Sequence, residues 1–311
     1  MNKTRPLDFS IASVSDSSKP FRSANIFLTN EFGIAYDMSH QIRELISAGG
    51  TAVLPDAFFF RLRQPYRLKE GRIILLLQGQ VVIRYNLIEY IIRPAQVLVV
   101  PAGSIIEITG VHPDTVLRMV GFSPVFIPSA CKEDVDYYRG GYRQSVILPL
   151  SDGQRGIAEG YFRLLWEMVQ ADGFPREPVQ HLLTSLIHFI DDMRKGYRPA
   201  GGGNATHQDR LFGRFIALVN EHCVSERNVK FYAGKLCLTP RYLNTVIRQA
   251  SGQTVMDWVD QAVVVEAKIR LKHDNLPVYR VADELRFANP SFFCKFFKRM
   301  TGMTPQEYRT G

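Results

Sequence analysis

The stretch Ala282–Arg309, ADELRFANPSFFCKFFKRMTGMTPQEYR, decides the fold. Asn289 followed by Pro290 is a helix opening: a short side-chain acceptor at the cap, then a residue whose fixed φ suits the first turn. Phe292, Phe293, Phe296 and Phe297 predict the buried side of that helix, which leaves Pro290, Ser291, Cys294, Lys295 and Lys298 outside. The unit recurs upstream. Ser251-Gly-Gln-Thr254 matches Thr301-Gly-Met-Thr304 at an offset of 50, and each is followed by an aromatic residue, Trp258 or Tyr308. Ile247-Arg248 answers Phe297-Lys298, Leu243 answers Phe293, and Ala233-x-x-Leu236 answers Ala282-x-x-Leu285. This is a duplication whose grammar is helix, tight turn, helix.

In the first copy, Val229–Leu236 predicts a short helix, Thr239 its successor's cap and Pro240 that successor's first position. Over Pro240–Ala250, Leu243, Val246 and Ile247 fall inside, and Arg241, Asn244, Thr245 and Arg248 outside. Paired helices whose second member has a polar, basic outer face are the pattern of a helix-turn-helix. Arg and Asn are the side chains that pair bidentately with guanine and adenine edges. Between the copies, Val255–His273 reads as one helix with Trp258, Ala262, Val265 and Ile269 along one side. At 1.5 Å per residue it spans about 28 Å. That approaches the ~34 Å between successive major-groove faces.

Over roughly Leu211–Arg309 the chain resembles the AraC/XylS family of bacterial transcription regulators, most densely in Ala282–Arg309. There the family pattern A-x-x-x-G-F…F…F-K…T-G-x-[ST]-P-x-x-[YF]-R is matched nearly throughout. The resemblance puts the DNA-contacting positions at Arg241, Asn244, Thr245 and Arg248, and at Pro290, Ser291, Cys294, Lys295 and Lys298. One departure stands out: the glycine usual in the second turn is Arg286. If that position needs φ > 0, an arginine there costs roughly 1 kcal/mol. Pro290 and Cys294 are poor base readers, so the first copy is expected to carry more of the discrimination.

The N-terminal part has another rhythm. Arg72–Leu77, Gln80–Tyr85, Leu87–Arg93, Gln96–Val100, Ile105–Ile108 and Val116–Phe122 are short Val/Ile/Leu runs divided by turn residues, the spacing of an all-β barrel or sandwich. Leu77-Gln-Gly-Gln-Val81 and Val97-Leu-Val-Val-Pro-Ala-Gly103 make it similar to the cupin-like barrel common in the same family. Helical spacing then takes over. Ile157, Tyr161, Leu164, Leu165 and Met168 precede the break Asp172-Gly-Phe-Pro175, and Val179, Leu182, Leu183, Leu186, Ile187 and Ile190 follow it, predicting a helical hairpin. A second apolar set containing Phe162, Trp166 and Phe189 is expected to meet a partner copy. The resemblance implies a small effector in the barrel, dimerisation through the hairpin and, for an activator, contact with RNA polymerase.

The expected organisation is multidomain: a flexible arm over 1–20, a cupin-like all-β barrel over 21–127, a helical hairpin over 128–197 and a linker over 198–208. An all-α DNA-binding domain follows over 209–311, with two helix-turn-helix units, about 229–250 and 278–300, joined by the long helix. The chain of 311 residues has net charge +8. The segment from Asp209 onward holds 16 Lys and Arg against 10 Asp and Glu, so most of the excess lies there. A basic segment of that kind suits double-stranded DNA as partner.

Cys131, Cys223, Cys237 and Cys294 are dispersed and read as free thiols in a reducing, cytoplasmic setting. No signal peptide or membrane span is expected. His40 and His112 form no metal-binding pattern, Asp134-Val-Asp136 does not continue as a calcium loop, and Gly121-Phe-Ser-Pro-Val125 lacks the second glycine of a nucleophile elbow. No catalytic residue, metal or cofactor is therefore expected. A sequence-specific, effector-controlled transcription regulator follows. The alternative is a cupin-type binding protein or enzyme whose helical part contacts another protein.

Overall fold

The computed structural model describes residues 24–28, 33–37, 63–112, 114–123, 126, 147–170, 174–197, 207–273 and 276–310. The expected arm, most of the linker, His40, Cys131 and the Asp134–Asp136 pair lie outside them. All six runs expected as strands form strands. They are β4 (Gly71–Gln78), β5 (Val81–Tyr85), β6 (Ile88–Ile92), β7 (Gln96–Val100), β8 (Ile105–Val111) and β9 (Val116–Phe122). With β1 (Ala24–Leu28), β2 (Gly33–Asp37), β3 (Pro65–Arg67) and β10 (Ile147–Pro149) they make two sheets. One has the order β10-β7-β4-β9-β1-β2, the other β3-β8-β5-β6. Among the described residues no ladder joins these sheets into a closed cylinder, so the β region is a pair of open sheets.

The larger sheet is covered on both faces, which is why β4 reads as a nearly unbroken apolar run, RIILLLQ. Leu76, Leu98, Val100 and Met119 meet Tyr66, Ile83 and Ile106 of the smaller sheet. Ile73, Leu75, Val97, Val99 and Val120 point the other way, against α1 (Asp152–Gln170) and α2 (Arg176–Gly196). The start of α1 is fixed by a reciprocal box: Ser151 N–H donates to Gln154 Oε1 at 2.9 Å, and Gln154 N–H to Ser151 Oγ at 3.3 Å.

The hairpin corrects one expectation. Phe162 is fully buried and joins Ala158 and Leu165 in the core against the sheet. Trp166 and Phe189 are half-buried against the same core, with the Phe189 ring 5.9 Å from that of Tyr161. The exposed apolar residues of α1 are Ile157 and Leu164. Periodicity separates a helix's faces but does not say which one meets the sheet.

The helical part comprises α3 (His207–His222), α4 (Val229–Lys235), α5 (Pro240–Ser251), α6 (Val255–His273), α7 (Val278–Glu284), α8 (Pro290–Thr301) and α9 (Pro305–Thr310). Helix α6 serves two cores. Val255, Val259, Ala262 and Val263 pack with α3 and α5, whereas Ala267 and Leu271 pack with Phe293 and Phe297 of α8. Buried nearly all round, it loses the amphipathic pattern of a surface helix.

Both tight turns hold a non-glycine residue in the left-handed region: Cys237 at φ 57° and Arg286 at φ 55°. The hydrogen bonds are the same in each. Leu238 N–H reaches the Ala233 carbonyl and Phe287 N–H the Ala282 carbonyl, each at 2.9 Å; Cys237 and Arg286 N–H return to Gly234 and Asp283. This is the two-bond helix ending that glycine usually completes. Arg286→Gly should raise the unfolding free energy read from urea titration by up to about 1 kcal/mol, the left-handed penalty less the entropy glycine restores to the unfolded chain. A lowered midpoint would mean that the arginine side chain contributes more than its backbone strain costs.

Candidate nucleic-acid interface

Helices α5 and α8 are each set by a cap. Thr239 Oγ1 accepts from Tyr242 N–H at 3.3 Å, and Asn289 Oδ1 from Phe292 N–H at 3.0 Å. Each ends on a left-handed glycine, Gly252 or Gly302. The following helices open with matching boxes: Thr254 N–H donates to Asp257 at 2.8 Å, and Thr304 N–H to Glu307 at 2.7 Å. Hydrogen bonds from the Thr254 hydroxyl and N–H lower the pKa of Asp257, and those from the Thr304 N–H and hydroxyl lower that of Glu307.

The side chains expected to reach DNA divide into three groups. Arg241, Thr245 and Arg248 on α5, and Pro290, Ser291, Lys295 and Lys298 on α8, are exposed. Cys294 is half-buried and rests on the second core. Asn244 is also half-buried, and its Oδ1 accepts Val255 N–H at 3.3 Å, bridging to the start of α6. A bidentate grip on adenine uses that oxygen, so in this arrangement a base would share it with the backbone of α6. Thr245 Oγ1 donates to the Arg241 carbonyl at 3.0 Å, which spends its proton and leaves it an acceptor.

Two aromatic residues were missed. Phe292, expected inside, is 60% exposed, and Tyr242 is 46% exposed. They occupy the same position of the two repeats, just before the buried Leu243 and Phe293. Four phenylalanines spaced i, i+1, i+4 and i+5 span too wide an arc for all to face inward; Phe293 and Phe297 win the core. Laying the repeats over each other places Phe292 on Tyr242, the signal that could have found both. Phe296 is half-buried, 5.2 Å from the Phe287 ring.

Lys268, Arg270 and Lys272 of α6 are half-buried and do not form a solvated basic face. Arg270 pairs with buried Glu266 and, at 3.2 Å, with Glu284. Lys272 donates to the Arg309 carbonyl at 3.2 Å, and Lys268 lies 5.6 Å from the Tyr308 ring, its pKa lowered by burial.

The β region touches this helical part directly. The β5–β6 turn is Asn86-Leu87, with φ 45° and 76°, and Leu87 is buried in the helical core that also holds Phe215 and Val219 of α3. Asn220 Nδ2 donates to the Asn86 carbonyl at 3.4 Å. Arg67 on β3 pairs with Glu266 of α6 and donates to the Gly103 carbonyl at 3.0 Å. Burial, with the Glu266 charge beside it, pushes the Cys223 thiol up to about 12. Leu87 was expected to begin a strand; it stands instead at the tip of the turn.

Residues 232–311 match a helix-turn-helix domain family. Over 277 residues the chain is 24% identical to the arabinose operon regulatory protein of Salmonella typhimurium, covering 85% of this chain and 92% of that protein. It is 22% identical over 268 residues to the protein of the same name from Escherichia coli K12, covering 85% and 89% respectively. Among solved structures it is similar to ToxT from Vibrio cholerae, at 13% identity and a TM-score of 0.40, covering 80% of this chain and 94% of that one.

Proposed function

We propose that the chain is a DNA-binding transcription regulator of the AraC/XylS family, in which α5 and α8 enter successive major grooves of an operator. Arg241 and Arg248 read base edges, Asn244 donates to one acceptor, and Thr245 accepts. Lys295 and Lys298 hold phosphates, while Pro290, Ser291 and Cys294 pack against the backbone. The observation that carries the reading is the duplicated unit itself: both copies present their exposed polar side chains from the same positions of equivalently capped helices.

The division of labour we propose is a cupin-like sensor over 21–127 that takes a small effector, a helical layer over 128–197 through which two copies pair, and the DNA-binding domain over 209–311. Because Phe162 is internal, self-association would use the Ile157–Leu164 face of α1. No helix among the described residues is long and apolar enough to cross a membrane. The reading places the protein in the cytoplasm, with RNA polymerase as a further partner if it activates.

The test is anisotropy of labelled duplexes drawn from around the protein's own gene. Arg248→Ala should weaken operator binding by about 1–3 kcal/mol and relax preference at one base pair. Lys298→Ala should weaken all sequences alike and reduce the salt slope by about one counterion. Unchanged binding by both variants would remove these helices from the grooves.

A further inference from the structure

Where β9 passes beneath the first turns of α1, on the face of the larger sheet away from the smaller one, the chain forms an open cleft of about 310 Å³. Three guanidiniums line it: Arg118 from β9, and Arg155 and Arg163 from α1. One of the carboxylates in its wall, Glu159, is shared by two of them. Arg118 Nη1 lies 3.3 Å from one of its oxygens and Arg155 Nε 3.6 Å from the other. Arg163 makes no ion pair among the described residues, and its charge opposes that of Arg118. Asp152, the other acid of the lining, is exposed at the start of α1. The local balance is three positive charges against two negative. Arg118 is only 9% exposed, so its charge has little water to screen it.

The helix wall facing this cleft is bare. Gly156 and Gly160 stand one turn apart inside α1, and a side chain added at either would meet nothing within 4 Å. Neither has a positive φ. Glycine inside a helix is less stable than alanine by roughly 0.5–1 kcal/mol. Neither crowding nor backbone geometry requires glycine at either position, and both line the cleft. With Asp152, Glu159 and Arg163 the two glycines follow the i, i+3, i+4, i+7 spacing of one helix face, so the whole wall belongs to a single stripe.

We propose that this cleft binds a small organic oxyanion, a carboxylate or a phosphate monoester, gripped by Arg118, Arg155 and Arg163 over the surface that Gly156 and Gly160 leave free. Guanidinium forks match the paired oxygens of both groups, and the volume admits a ligand of metabolite size. The site lies between sheet and helix, outside the space between the two sheets, and an anion there would tie the sheet to α1. It alters the effector reading given above by moving the ligand to the seam between the β region and α1 and naming its chemical class, and rests on that reading only for the consequence at the operator.

The experiment is calorimetric titration of the full chain with inorganic phosphate, succinate and the neutral polyol erythritol, at ionic strength held constant with chloride. Saturable heat is expected with phosphate or succinate and none with erythritol; which of the two binds tells a phosphate ester from a carboxylate as source. Arg163→Gln should weaken binding about tenfold or more, as loss of one charged hydrogen-bonding contact implies. Gly160→Gln should abolish binding by filling the cleft while raising the melting temperature of the free protein, since it replaces a helix-interior glycine. Loss of binding in that variant therefore cannot come from unfolding. Absence of binding to both anions, or binding unaltered in both variants, overturns the site. Binding lost in the variants, with wild-type operator affinity indifferent to the anion, upholds the site and overturns its role as effector pocket.

Discussion

Phe162→Ala is expected to lower the unfolding free energy by about 3–5 kcal/mol while leaving the self-association of the folded fraction as it was. The ring is fully buried between sheet and hairpin, in a cluster with Ile73, Leu75, Val120, Phe122, Val179 and Leu183. Truncation removes an aromatic side chain's transfer energy and leaves a hole that strand and helix backbones close only in part. The paired control is Leu164→Ala on the exposed face of the same helix, 46% accessible, which should stay within about 0.5 kcal/mol of the parent. Denaturant unfolding followed by circular dichroism, with sedimentation velocity alongside, separates the cases. A Phe162→Ala protein that melts like the parent but sediments as a monomer would place the ring at a partner's surface.

Leu87→Gly should act on the joint between the β region and the DNA-binding helices and spare each of them. A two-residue turn with both central φ values positive suits Asn-Gly, and leucine in the second place is strained by about 1–2 kcal/mol. Its side chain is held there by burial among the helices, an environment that stabilises a leucine by roughly 1.5–3 kcal/mol. Glycine removes strain and anchor together. The β5–β6 hairpin should hold as well as before or better, while the contact with α3 weakens by roughly the burial figure. Hydrogen exchange reads this directly: faster exchange at Phe215–Val219, unchanged exchange at Val81–Tyr85. Equal protection of α3 in both proteins would show that the turn does not brace it. Operator affinity measured beside it gives the sign of the coupling. Tighter binding means that the joint restrains the DNA-binding helices; weaker binding means that it positions them.

Much of the helical part could be read from the chain because its specification is local. Thr239-Pro240 and Asn289-Pro290 name their own helix starts, and the 50-residue repeat lets each copy check the other. Arg286 was legible as a misplaced glycine, and its φ of 55° bears that out; Cys237, in the same position of the first copy, drew no notice because nothing in a cysteine announces a left-handed backbone. The strands of the β region were legible for the same reason, as runs bounded by turn residues. The opposite holds where a residue's partner is distant. Asn244 is engaged by a backbone group eleven residues away, and no pattern in α5 signals it. Arg67 and Glu266 are 199 positions apart. Leu87 looks like the first residue of a strand, since only the burial waiting across the joint explains a leucine at that turn.

Helix α6 has one more property, visible in how its residues are shared. Val263 belongs to the first core and Ala267 to the second, with no loop between. The two halves of the DNA-binding surface therefore keep a fixed rotational phase, as two teeth cut on one rod. One residue more in that stretch would turn the second tooth by about 100° and advance it about 1.5 Å. DNA has its own phase, near 35° for each base pair at 10–10.5 base pairs per turn. An operator with a single base pair inserted between its two contact patches should thus lose one patch or the other, however well each matches the protein alone. On the proposed reading the rod works as a ruler, and the spacing it measures is as much a part of the recognised sequence as any base assigned there to Arg241 or Arg248.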